Sequence, residues 1–110
     1  MEKVFYNSFN ELKHKIKNGK YVLVFTADWC GDCKFIEPVL PEIENTFREY
    51  QFINIDTDKN MHIARSLNIF GIPSFVVYDS GKEIDRLVNK DRKTKNEIIS
   101  FIDQAIERWW

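Results

Sequence analysis

The run Tyr21-Val22-Leu23-Val24-Phe25-Thr26 is continuously apolar up to Thr26 and rich in β-forming side chains. A strand with one wet face alternates polar and apolar residues; a continuous run needs cover on both faces. The chain must therefore supply packing layers on either side of this strand. The remaining segments fit that demand, because apolar periodicity switches several times between two and about 3.6 along the sequence.

Val4-Phe5-Tyr6 reads as a short first strand. Ser8 and Glu11 have capping-box spacing, and a helix from Phe9 to Lys17 follows with Phe9, Leu12 and Ile16 on one face. Asn18-Gly19 ends it. From Cys33 to Tyr50 the pattern is helical, through Phe35, Ile36, Leu40, Ile43 and Phe47, with Pro38 expected to kink the helix rather than end it. Phe52 to Asp56 is a third strand, and Asn60 is placed to cap a short helix through Leu67. Ser74 to Tyr78 is another buried strand, joined through the turn Asp79-Ser80-Gly81-Lys82 to an edge-like strand, Glu83 to Val88. In that edge strand Ile84 and Leu87 do not alternate strictly. Thr94 and Glu97 again have capping-box spacing, before a last helix with Ile98, Phe101, Ile102, Ala105, Ile106 and Trp109 apolar. The order is β-α-β-α-β-α-β-β-α, parallel βαβ units first and a hairpin later. This is an α/β chain with a central mixed sheet of four to five strands and helices on both faces.

With 110 residues the chain has room for one core, so residues 1–110 are expected to form a single domain. Charge is balanced, 16 Lys+Arg against 17 Asp+Glu, which gives no electrostatic reason to expect nucleic acid or an anionic membrane as partner. No stretch approaches the roughly 18 apolar residues of a membrane span. The start lacks the apolar run of a secretory signal, and a cytoplasmic protein is expected. Two cysteines do not make the disulfide framework of a small secreted domain.

The chemistry concentrates in Trp29-Cys30-Gly31-Asp32-Cys33, which follows the buried strand and opens a helix. Residues i and i+3 share one side of a first helical turn, so the two sulfurs can meet. Cys30, at the helix N-terminus, would be stabilised as a thiolate by unpaired N–H groups. Cys33, one turn deeper, can resolve a mixed disulfide. The bland alternative is that two cysteines merely fill a core. Structural zinc needs about four ligands. His14 and His62 have no ligand spacing to the pair, so no metal is expected within one chain, while a site shared by two chains stays open. A second signal is Gly71-Ile72-Pro73: a cis Pro before a buried strand would leave the Ile72 backbone free to pair with an extended peptide beside the cysteines.

These segments together resemble the thioredoxin family. Phe25 to Lys34, followed by Pro38, is similar to the family's active-site segment; Phe70-Gly71-Ile72-Pro73-Ser74 is similar to the segment carrying its cis-proline; Phe52 to Asp56 matches the strand between them. The likeness spans about Tyr21 to Val88, and the stretch from Thr26 to Thr94 especially resembles small thioredoxin-like proteins of Gram-positive bacteria. The resemblance implies a thioredoxin fold and a protein-disulfide reductase, with Cys30 as nucleophile, Cys33 as resolving thiol and Pro73 as the cis-proline. Trp29 and Ile72 would flank the substrate groove, and Gly31 and Asp32 would tune the couple. The implied partners are disulfide-containing proteins or small-thiol disulfides. A flavoprotein thioredoxin reductase or a low-molecular-weight thiol would supply electrons. No cofactor is implied, and a monomer is expected.

Three departures from the family stand out. Asp32 replaces the Pro between the cysteines, and a carboxylate there disfavours the Cys30 thiolate, although it is equally well read as a solvated acid of the first turn. The family's buried Asp falls at Val24 and its Lys partner at Phe52. Without that Asp, Cys33 must lose its proton to water or another base, and Asp28, Asp32 and Glu37 are the nearby acids. His14 and His62 are expected to be exposed, and the basic run Lys90 to Lys95 to be a solvated turn. Trp109 is expected to pack on the sheet and Trp110 to be exposed, with a contact between copies as the alternative. Two other readings stay open beside the reductase: a disulfide oxidant or isomerase, and a non-catalytic binding module using the Cys30–Pro73 groove.

Overall fold

The computed structural model describes residues 1–109. Its elements are β1 (Glu2–Val4), α1 (Phe9–Lys15), β2 (Lys20–Thr26), α2 (Gly31–Ile36), a 3₁₀ turn (Glu37–Val39), α3 (Leu40–Thr46), β3 (Gln51–Asp56), α4 (Met61–Ser66), β4 (Ser74–Asp79), β5 (Lys82–Leu87) and α5 (Lys95–Trp109). The strands form one five-stranded sheet in the order β1-β3-β2-β4-β5. β1 and β2 pair parallel with β3, while β4 runs antiparallel to both β2 and β5.

β2 lies at the centre, which is why its sequence is apolar on both faces. Val22 and Val24 point to one side, where they join Phe52, Phe75 and Val77 under α2, α3 and α5. Leu23 and Phe25 point to the other, with Ile53, Ile55 and Val76 under α1 and α4. Val22, Leu23, Val24 and Phe25 are all fully buried. The sheet is thus mixed and covered on both faces. No helix among the described residues is long and apolar enough to cross a membrane.

Several local readings need correction. The first strand is Glu2–Val4, earlier than the apolar trio suggests, because the chain turns away after it: the Tyr6 N–H donates to Asn60 Oδ1, and Phe5 is exposed. Asn60 stands at the start of α4 but its side chain does not cap the helix. It is fully buried instead, donating to the carbonyls of Val4 and Asp56. The long second helix is interrupted by the 3₁₀ turn at Pro38 and resumes as α3. Phe35 lies outside the core, half-exposed. Trp109 is 44% exposed rather than packed on the sheet. Trp110 lies outside the described residues.

The uneven pattern of the edge strand has a structural cause. Val77 pairs with Asp85 but Tyr78 pairs with Glu83, so Ile84 is the extra residue of a β-bulge. The bulge lets both Ile84 and Leu87 pack against the same core face. Between the paired residues Asp79 and Lys82, Ser80 and Gly81 have φ of 53° and 81°. Two positive φ values in a two-residue loop match the twist of a hairpin, and Gly at the second position accepts this without steric cost.

Candidate active site

The site forms where β2 ends. Cys30 is the N-cap of α2, and its Sγ accepts a hydrogen bond from the Cys33 N–H at 3.1 Å. Cys30 and Cys33 are joined as a disulfide, with Cα atoms 5.2 Å apart. Both are nearly buried, and they pack with Ala27 and Ile72. The i, i+3 spacing therefore does what the sequence asks of it.

The loop before β4 forms the facing wall. The Ile72–Pro73 bond is cis, and the Ile72 carbonyl oxygen lies 4.0 Å from Cys30 Sγ. Between the two walls runs a groove of about 520 Å³, lined among others by Trp29, Cys30, Asp32, Phe70, Ile72 and Lys90. Trp29 and Phe70 are each about two-thirds exposed at its rim. Such exposed aromatic surface beside a reactive sulfur is suited to contact with a partner chain. The Trp29 indole is oriented by donating from Nε1 to Asp58 at 2.9 Å.

Cys33 faces elsewhere. It lines a separate cavity of about 600 Å³ that also touches Asp28, Glu37, Asn54, Asp56 and Lys59. Of the three acids near the pair in sequence, Asp28 and Glu37 border this cavity, while Asp32 borders the groove on the Cys30 side. Val24 and Phe52 are both buried in the apolar core. The two positions that would carry a buried ion pair are filled by well-packed hydrophobes, an exchange that need not cost stability.

The basic run after β5 is an exposed turn, as expected, except at one residue. Lys93 is 1% exposed. Its ammonium donates to Asn89 Oδ1 at 2.8 Å, to the Asp91 carbonyl at 2.7 Å and to the Asn89 carbonyl at 3.4 Å, clasping the loop on itself. Burial holds this lysine below its usual range, with Asp91 pulling the other way. Arg92 Nε donates to Asp32 Oδ1 at 2.8 Å, and its guanidinium carbon lies 4.3 Å from the centroid of the Phe35 ring. The charge of Asp32 is therefore paired with a cation from sixty residues away. The loop also abuts the groove wall: a Cβ on Gly71 would collide with the backbone of Asn89 and stand 2.7 Å from the Lys90 nitrogen. His14 and His62 are exposed, and neither lines the groove or the Cys33 cavity.

Sequence reasoning singled out Trp29, Cys30, Gly31, Asp32 and Ile72, which line the groove, Cys33, which is bonded to Cys30, and Pro73, which follows Ile72. It missed Asp58, Arg92 and Lys93, whose roles depend on contacts far apart in sequence. The Thr94–Glu97 capping box was a usable signal for the loop that carries Arg92 and Lys93, though not for Asp58. It forms as read, Thr94 Oγ1 accepting from the Glu97 N–H at 3.2 Å, and fixes where the loop must end.

A Cys30–Cys33 disulfide at a strand-to-helix junction, with Cys30 lining a groove at the end of a mixed sheet, fits a thiol–disulfide oxidoreductase. Comparison with known proteins agrees. The Thioredoxin family model matches residues 2–104. Thioredoxin-2, mitochondrial, of Schizosaccharomyces pombe is 33% identical over 94 residues, covering 84% of this chain and 71% of that one. Among solved structures, a thioredoxin of Plasmodium falciparum is similar with a TM-score of 0.75 and 30% identity, covering 100% of both chains. Mitochondrial thioredoxin 3 of Saccharomyces cerevisiae, in its oxidized form, has a TM-score of 0.77 and 25% identity, covering 98% of this chain and 94% of that one. The chain belongs to the thioredoxin family and is a thioredoxin-like disulfide reductase.

Proposed function

We propose that the chain acts as one domain, residues 1–110, reducing disulfides of cytosolic proteins or small thiols through Cys30 and Cys33. The observation that carries this reading is the Cys30–Cys33 disulfide at the mouth of a groove whose other wall is Ile72–Pro73. In the reduced protein the Cys30 thiolate attacks one sulfur of a substrate disulfide. An S–S bond forms to Cys30, and the other substrate half leaves as a thiolate. Cys33, once deprotonated, attacks Cys30 Sγ; the Cys30–Cys33 bond closes and the second substrate thiolate is released. Two electrons pass from the dithiol to the substrate, and the leaving thiolates take up the protons. A flavoprotein thioredoxin reductase or a low-molecular-weight thiol returns the electrons, and the chain works as a monomer.

Trp29 and Ile72 are the groove walls in this reading, Pro73 shapes the wall beside Cys30, and Gly31 and Asp32 set the properties of the dithiol turn. The test is the reduction potential of the Cys30–Cys33 couple, measured by equilibration in dithiol buffers and free-thiol counting. A value near about −270 mV, the thioredoxin range, supports the reductase. A value above roughly −180 mV makes the protein an oxidant or isomerase instead. A couple that forms no reversible disulfide leaves only a binding module.

A further inference from the structure

The loop between β5 and α5 is held at two points. Lys93 clasps it internally with three hydrogen bonds, and Gly71 leaves room for its backbone against the groove wall. A loop fixed at both points carries Arg92 to a defined position. There its guanidinium lies over the Phe35 ring and donates to Asp32, the residue beside Cys33 and two from Cys30. Phe35 is half-exposed, so its ring is not placed there to fill the core. It gives Arg92 a flat surface that orients the planar guanidinium toward the carboxylate.

An ion pair at this exposure adds little to stability: the Arg92 and Asp32 side chains are 57% and 35% exposed. Its effect falls on the adjacent sulfur. An unpaired Asp32 carboxylate would oppose a negative charge on Cys30. Resting on the dithiol reading above, we propose that Arg92 is a positioning residue. It holds Asp32 by charge and keeps the Cys30 thiolate accessible despite an acid between the cysteines. The other charged groups around the pair are Lys90 in the groove, Lys93 behind Asp32, and Lys3, Asp28, Lys34, Glu37, Glu44, Asp56, Lys59 and the amino group of Met1 around the cavity beyond Cys33. They are common to all the variants below and cancel in the comparison.

The experiment is the rate of Cys30 alkylation by iodoacetamide against pH in the reduced full-length protein, for wild type, R92Q, R92K, D32N and the D32N/R92Q double variant. Folding is checked by circular dichroism. R92Q is expected to react more slowly than wild type at neutral pH, by about threefold or more, with its profile displaced to higher pH. D32N is expected to react faster, and the double variant to return toward wild type. R92K, which keeps the charge but loses the planar fork, is expected to recover most of the rate, and added salt to shrink the R92Q effect. The proposal is overturned if R92Q matches wild type across the profile, or if R92K is as slow as R92Q, since packing rather than charge would then be responsible. Reversible oxidation of the wild-type pair is measured separately. Its failure would remove the oxidoreductase reading, whereas an unchanged R92Q profile with normal oxidation would remove only this inference.

Discussion

Cys30 Sγ lies 4.0 Å from the carbonyl oxygen of Ile72, forty-two residues further along the chain. This closeness joins the end of β2 to the loop entering β4, strands that are hydrogen-bonded neighbours from Phe25–Ser74 outward. The groove is thus a consequence of sheet pairing. Register between β2 and β4 sets how closely the sulfur meets the opposite wall, and the side chains at the rim, Trp29 and Phe70, project beyond it.

Resolution of a mixed disulfide on Cys30 is expected to be slow and pH-dependent. Cys33 must lose its proton, and the core positions Val24 and Phe52 offer no acid to receive it. Proton loss then goes by way of the cavity bordered by Asp28, Glu37 and Asp56. Release of a thiol reporter from pre-formed mixed disulfide, followed by stopped flow, should quicken as pH rises from neutral. Fast release that is independent of pH would contradict this account.

Gly71→Ala is expected to destabilise the protein by about 1–3 kcal/mol, the usual cost of forcing extra atoms into a packed site. The added Cβ meets backbone of Asn89 and Lys90, which cannot rotate aside as a side chain would. Urea unfolding measures the loss, and a stability equal to wild type would show that the loop yields freely.

Lys93→Met removes the donor that three loop oxygens share. Leaving such acceptors unpaired costs about 1–3 kcal/mol where water cannot replace the donor. The variant is expected to unfold at lower urea and to show faster amide exchange in residues 89–92. Unchanged exchange there would mean that the clasp does not order the loop.

Tyr78 gives a pH signature at the other end of the range. Its hydroxyl is pushed up to about 12, chiefly by burial and secondly by Glu83. A raised folded value means that the folded state holds its proton longer than the unfolded chain, which gives it up near 10. Stability from this group is complete below pH 10 and is lost as pH rises from 10 to about 12. The loss amounts to about 2 kcal/mol at the upper end. Tyr78→Phe is expected to lose less stability over that interval in urea titrations at stepped pH, and curves that fall in parallel would rule the tyrosine out as the cause.

The sequence was most readable where one local property decides the outcome. The apolar run of β2 required cover on both faces, and it received it from α2, α3 and α5 on one side and α1 and α4 on the other. Thr94 and Glu97 form their capping box, and Ser8 accepts from the Glu11 N–H. Readings failed where two local signals competed with a distant one. Asn60 had the right position for a cap, but its amide found buried carbonyls to serve instead. Phe35 followed the helical apolar pattern, yet its ring became the platform for Arg92.

By itself, then, the sequence determined the order of strands and helices, the faces they bury and the pair of sulfurs able to close a ring. These follow from periodicity and from the i, i+3 geometry of one helical turn, both confined to a few neighbouring residues. Only the tertiary structure decided that Lys93 is buried, that Arg92 reaches Asp32 and that Asp58 orients Trp29. A charged residue carries no local mark of its partner. Its pairing is set by where folding brings a second charge or a carbonyl within about 3 Å, and burial of Lys93 is tolerated because three acceptors converge on it.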